Sequence, residues 1–157
     1  MSQGSFRTFQ DLEVWQAARA LRKTIYALVK LLPDHERYNL VSQMRRAALS
    51  LTNNIAEGHG RYHYQENIQY LRQARGSLEE LMDDLTLCED EQYAPATEVA
   101  ALNEDAIRVR RLSNAYIRYL KERKGAPTGL ARETLAAYET NEDEHDYSEV
   151  PFNSSAP

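Results

Sequence analysis

Apolar residues in this chain recur at alternating steps of four and three. Val14, Ala18, Leu21, Ile25, Leu28 and Leu32 form the first series, a seven-residue repeat whose members share one helical face. Asp11, after Phe6 and Phe9, is the expected N-cap or first-turn anion, and Pro33-Asp34 the stop. The residue before a proline is driven out of the helical region. The spacing predicts a first helix from about Asp11 to Leu31. A second series, Leu40, Met44, Ala47, Leu51 and Ile55, predicts a helix from near Glu36 to Gly58. After the short His59-Gly60-Arg61 turn, a third runs through Tyr64, Ile68, Leu71, Ala74, Leu78, Leu81, Leu85 and Cys88. Pro95 opens a fourth, carried by Val99, Leu102, Ala106, Val109, Leu112, Tyr116, Ile117 and Leu120 and ended by Gly125-Ala126-Pro127. The connections are short, which makes chain neighbours antiparallel. The fold class is therefore all-α, an antiparallel up-down-up-down four-helix bundle over residues 11–124. An N-terminal arm, 1–10, precedes it and a tail, 125–157, follows.

The second helix carries another stripe beside its apolar one. Gln43, Ala47, Ser50, Asn54 and Glu57 are small or polar and also lie at helical spacing. Buried polar groups need hydrogen-bond partners, so such a stripe belongs in a helix–helix or subunit seam. An oligomer interface is the preferred account, ahead of a ligand groove. Gly58 and Gly60 are expected to supply positive φ at the helix end and turn. Gly76-Ser77 interrupts the third helix without ending it. An interior glycine costs about 1 kcal/mol against alanine, so Gly76 is expected to mark close approach by another backbone.

Composition adds a division of charge. Hydrophobic residues make up 42% and charged residues 27% of the 157, a soluble globular balance. No run approaches the roughly 18 apolar residues of a membrane span, and the N-terminus lacks an apolar leader, so a cytoplasmic setting is expected. The single Cys88 reads as a small apolar core residue. The net charge of −5 is concentrated: residues 125–157 hold seven acids and one base, and the remainder is at +1. Within the tail, 128–140 has the pattern of a short weak helix, and 141–157 reads as disordered.

Arginine supplies fourteen of the eighteen bases outside the tail. Arg45, Arg46, Arg61, Arg108, Arg110 and Arg111 are candidates for binding phosphates of RNA or DNA, because a guanidinium is a bidentate partner. Tyr62, Tyr64, Tyr70, Tyr116 and Tyr119 stand among them as stacking surfaces. Against this, Glu57, Glu66, Glu79 and Glu80 can pair with the same arginines. Gly58-His59-Gly60-Arg61 has the look of a phosphate cradle but reads better as a helix C-cap. The Glu-x-x-His pattern of di-iron bundles occurs only at Glu142 and His145, in the tail, and Glu79-Glu80 and Asp83-Asp84 have no histidine beside them. No nucleophile elbow, P-loop or dinucleotide fingerprint is present. Neither a catalytic set nor a metal or cofactor is expected.

The segments D-L-E-V-W-Q-A-A at 11–18, I-Y-A-L at 25–28, L-P-x-x-E-x-Y at 32–38, Q-M-R-R-A-A-L-S-L-T-N-N-I-A-E-G-H-G-R at 43–61 and A-R-G-S-L-E-E-L at 74–81 carry a family resemblance. They resemble the small bacterial four helix bundle protein family, related to proteins encoded in intervening sequences of large-subunit ribosomal RNA genes. More remotely, the chain is similar to accessory proteins of diversity-generating retroelements, which form barrel-shaped homopentamers that bind nucleic acid and a reverse transcriptase. The resemblance implies a four-helix protomer, a homo-oligomeric ring (a pentamer) and no catalytic activity. The signature positions are Gln43, Arg46, Asn54, Glu57, Gly58, Gly60, Arg61, Gly76 and Ser77. One expected function is a nucleic-acid- or ribonucleoprotein-associated accessory factor. The other is a structural oligomer or protein-interaction module, its acidic tail contacting a basic partner.

Overall fold

The apolar repeats become helices because each buries one stripe against the others. The computed structural model describes residues 8–123, and the expectations for the tail and for most of the N-terminal arm lie outside them. Helix α1 spans Glu13–Val29, α2 Leu40–His59, α3 Tyr64–Asp90 and α4 Ala96–Glu122. No strand occurs among the described residues. Each helix packs on its chain neighbours, and α4 closes the square against α1. Pairs across the seams show the directions. Arg22 meets Thr52 and Tyr26 meets Arg45 between α1 and α2, while Ser50 meets Ser77 and Met44 meets Cys88 between α2 and α3. Asn67 meets Tyr116 and Glu79 meets Arg110 between α3 and α4. In every case one number falls as the other rises, so the neighbours are antiparallel. Leu21, Ile25, Met44, Leu51, Leu78, Leu81 and Leu102 are fully buried along the axis. Each such side chain contributes about 1.5–3 kcal/mol of burial. Among the described residues no helix is long and apolar enough to cross a membrane.

The ends of the helices depart from expectation in ways that have local causes. Asp11 does not cap α1. It closes a 3-10 turn, Phe9–Asp11, where its carboxylate accepts the Thr8 N–H at 3.2 Å and Thr8 Oγ1 accepts the Gln10 N–H. Phe9 then lies edge-on to Trp15, ring centres 5.1 Å apart, and anchors the entry to α1. The second helix begins at Leu40 rather than near Glu36, because Asp34–Glu36 forms a 3-10 turn first. At the end of α3, Gln92 takes φ 59°, the one positive φ among the described residues. The Gln92 N–H reaches the Glu89 carbonyl at 3.0 Å and the Tyr93 N–H reaches Cys88 at 2.8 Å. That pair of bonds is a Schellman close, with glutamine where glycine is usual.

The glycines do not take the roles expected of them. Neither Gly58 nor Gly60 has a positive φ; Gly60 ends α2 at φ −75°. Gly58 instead permits close approach of α3: a Cβ there would lie 2.7 Å from Asn67 Oδ1 and 2.9 Å from Tyr70 Cβ. Gly76 was the position expected to meet a backbone, yet a Cβ on it would have nothing within 4 Å. Seven residues separate Gly58 from Leu51, which puts it on the inward face, whereas Gly76 falls opposite Ala74 and Leu78.

Candidate functional site

The close approach at Gly58 lets the polar stripe of α2 meet α3 along a shared seam. Asn54 donates its amide to the Ser50 carbonyl at 2.9 Å and to Ser50 Oγ at 3.0 Å. Ser50 Oγ lies 2.8 Å from Ser77 Oγ, and Ser77 reaches the Gln73 carbonyl at 3.4 Å. With the Asn54 amide donating, the two hydroxyls run in one direction, each passing its hydrogen to the next acceptor. Lower in the seam Glu57 and Arg61 pair at 2.5 Å, and Arg61 also donates to the Tyr70 hydroxyl at 2.6 Å. Ser50, Asn54, Ser77, Glu57 and Gly58 thus lie together on the α2–α3 seam within one protomer. Gln43 is exposed and donates along its own helix to Asn39 at 3.4 Å; Gly76 faces outward and Gly60 lies in the turn below.

At the other end of the same seam sits Asp84. The residue is buried, 9% exposed, and its side chain has neither a hydrogen bond nor an ion pair among the described residues. Burial, reinforced by the charges of Asp83 and Glu80, pushes its carboxyl up to about 6, and Arg46 across the seam partly offsets this.

The six candidate arginines occupy separate places. Arg45 turns to α1, its guanidinium 4.8 Å above the Tyr26 ring. Arg46 and Arg61 line the α2–α3 seam. Arg110 binds Glu79 of α3 at 3.1 Å. Arg108 and Arg111 stand exposed on α4, with no ion pair to a described residue. Helices α2 and α4 are diagonal in the bundle, so these residues do not form one patch.

Charge is divided along the bundle axis instead. The half that contains residues 8–21, 50–77 and 109–123 has nine Lys and Arg against five Asp and Glu. The opposite half, 22–49 and 78–108, has seven against twelve. At the basic pole one aromatic ring, Tyr62, is displayed to the surface, while Tyr70 is half-buried and Tyr119 buried. Tyr62 is 93% exposed and edge-on to His63, Arg61 lies over Tyr70, and Arg123 over Tyr119 at 4.7 Å. Tyr119 stacks on Tyr116, whose buried hydroxyl is pushed up to about 12 and takes a bond from Asn67 at 3.3 Å. A shallow open depression bounded by Phe9, Asn53 and Arg61 lies at this pole.

A cluster at the acidic pole escaped the sequence reading. Glu36 accepts the Leu40 N–H at 3.3 Å, the Asn39 amide at 3.0 Å and the Tyr93 hydroxyl at 3.0 Å, and His35 Nε2 is 3.0 Å from the same hydroxyl. The bond from Leu40 is the chief cause holding this carboxyl below its ordinary range. The cluster ties the start of α2 to the α3–α4 connection. Its only trace in the sequence is an acid four residues ahead of the first periodic leucine. Among the described residues no three metal-ligating side chains are grouped.

No curated protein matches the chain closely enough to count as a relative. A family model described as 23S rRNA-intervening sequence protein matches residues 10–115, from the 3-10 turn before α1 through most of α4. The chain, four antiparallel helices with this match over most of its length, belongs to the 23S rRNA-intervening sequence protein family.

Proposed function

We propose that the protein is a non-catalytic, homo-oligomeric accessory factor, a pentameric ring of four-helix protomers, that associates with RNA or a ribonucleoprotein through its basic pole. The observation that carries the reading is the axial division of charge, with the exposed ring of Tyr62 and the guanidinium groups of Arg61 and Arg123 at the basic end. Phosphate neutralisation supplies non-specific affinity, and aromatic faces accept unstacked bases of any identity. The family to which the chain belongs supports the choice of RNA.

The test is fluorescence anisotropy of a single-stranded RNA and the matching DNA with the full chain over a salt series, with mass measured by light scattering in the same buffers. Affinity is expected to fall steeply with salt, by about 0.7 log units per log unit of salt for each phosphate contact. Arg61→Glu with Arg123→Glu is expected to abolish binding, and Arg37→Glu at the far pole to leave it unchanged. Binding that ignores salt, or survives the double reversal, refutes the reading.

A second reading, a structural oligomer or protein-interaction module, is favoured by one specific observation. Arg61 and Arg110 are already engaged by Glu57 and Glu79. It predicts an oligomer at every salt concentration with no nucleic acid bound even at low salt.

A further inference from the structure

Asp84 is nine-tenths buried as a residue, has no hydrogen bond or ion pair among the described residues, and keeps its carboxylate oxygens open at the surface of the seam. Arg46 is the nearest base across the α2–α3 seam, but it is exposed and beyond 4.0 Å of Asp84. The surroundings make matters worse, since Asp83 and Glu80 flank Asp84 on its own helix. Residues 78–108 together hold ten acids and one base. About two turns along α3 from Asp84 the face has little side-chain bulk. Ser50 and Ser77 meet hydroxyl to hydroxyl, and Gly76 leaves open space where a Cβ would stand. Another helix can therefore approach this face closely.

The complementary feature is on α4. Arg111 points away from the core, opposite Val109, and is in no ion pair with a described residue. Its helical neighbours at three and four residues are Ile107, Arg108, Asn114 and Ala115, none of them an acid. Arg108 differs in having Glu104 and Asp105 at those spacings. An unpaired base thus faces outward from α4, while an unpaired buried acid opens at the α2–α3 seam.

We infer that Asp84 is the socket for Arg111 of a second copy of this chain, so that α4 of one protomer docks on the α2–α3 seam of the next. The inference rests on the homo-oligomeric part of the proposed function and names the contact that would build it. The interface is heterologous: each copy presents one socket and one plug, and the contact repeats until rotation closes a ring. A bidentate guanidinium is suited to the site, because it meets both oxygens of a carboxylate that has no other donor.

The experiment is a double-mutant cycle read by light scattering and sedimentation of the full chain, with circular dichroism to confirm folding. Asp84→Asn and Arg111→Gln keep size and remove charge, so both variants are expected to fold. Each is expected to weaken assembly about thirtyfold or more. The double variant is expected to be no weaker than either single one, because the two changes remove the same contact. An oligomeric parent whose assembly is unmoved by either variant overturns the inference and leaves the homo-oligomeric reading standing. Losses that multiply in the double variant also overturn it. A parent that is monomeric at all concentrations overturns both. Should Asp84→Asn fail to fold, Arg111→Gln, at an exposed position, decides alone: an oligomer as stable as the parent overturns the pairing.

Discussion

Gly58→Ala and Gly76→Ala are the same chemical change with opposite expected signs. Alanine favours a helix over glycine by about 1 kcal/mol, and each variant gains this. At Gly76 nothing stands within 4 Å of the new methyl, so the gain is kept. At Gly58 the methyl lies 2.9 Å from Tyr70 Cβ, an atom fixed to the α3 backbone, and 2.7 Å from Asn67 Oδ1. The helices must part by about half an ångström before ordinary contact is restored, a distortion of the kind that costs about 1–3 kcal/mol. Moving Asn67 also loosens its bond to the buried Tyr116 hydroxyl, which adds about 1 kcal/mol or more. The net expectation is a loss of roughly 1–3 kcal/mol for Gly58→Ala and a gain of about 0.5–1 kcal/mol for Gly76→Ala. Urea unfolding followed by far-UV circular dichroism, at one protein concentration, measures both midpoints and slopes. A Gly58→Ala chain as stable as the parent would refute the steric account of the α2–α3 approach.

Gln92→Gly is expected to stabilise the protein by about 0.5–1 kcal/mol, since glycine takes the left-handed conformation without the Cβ clash; thermal unfolding would show it. Asp84 has a carboxyl raised to about 6 from an ordinary 3.8, so the folded protomer holds the extra proton between roughly pH 4 and pH 6. Stability of the monomer should therefore fall as pH rises through that window, by up to about 3 kcal/mol, and level off above it. Asp84→Asn should flatten that profile, in denaturant titrations run where the chain is monomeric. Glu36→Ala should speed amide exchange at Leu40, because it removes the acceptor of that N–H; unchanged protection there would show the carboxylate is not the cap. Ser50→Ala and Ser77→Ala should be coupled by about 0.5–1 kcal/mol in a stability cycle, and additive losses would mean the 2.8 Å contact contributes nothing.

Periodicity made the four helices legible because every buried leucine in the repeats lies on the stripe its helix turns inward, as Leu71, Leu78 and Leu85 do in α3. Boundaries were less so. The delayed start of α2 depends on Glu36 reaching forward to Leu40, a cap from an unusual distance that no local pattern announces. The two glycines were misassigned for a different reason. A glycine's role follows from the face it occupies, and counting from Leu51 or Leu78 would have placed Gly58 inward and Gly76 outward. That Ser50, Asn54 and Glu57 share a helical face was readable, but not that Ser50 meets Ser77 of α3 in the same protomer, where an oligomer interface was the preferred account. The Arg110–Glu79 pair and the isolation of Asp84 were not readable either, as both depend on register between helices far apart in the chain. The axial division of charge stands between these cases: its residues are in plain view, but only the antiparallel arrangement gathers them at opposite poles.

Cys88 gives the molecule a gauge of its own motions. It is the only thiol, wholly buried, its sulfur 3.9 Å from that of Met44 across the α2–α3 contact, and burial pushes its pKa up to about 11. An alkylating reagent can reach it only when the end of α3 swings away from the start of α2. Where reclosing outpaces modification, the labelling rate reports the population of that opened form. Comparing this rate with the rate set by complete unfolding tells whether the two helices part alone or only with the whole bundle. Anything that settles on the seam slows the clock, and it can be read on the unaltered chain.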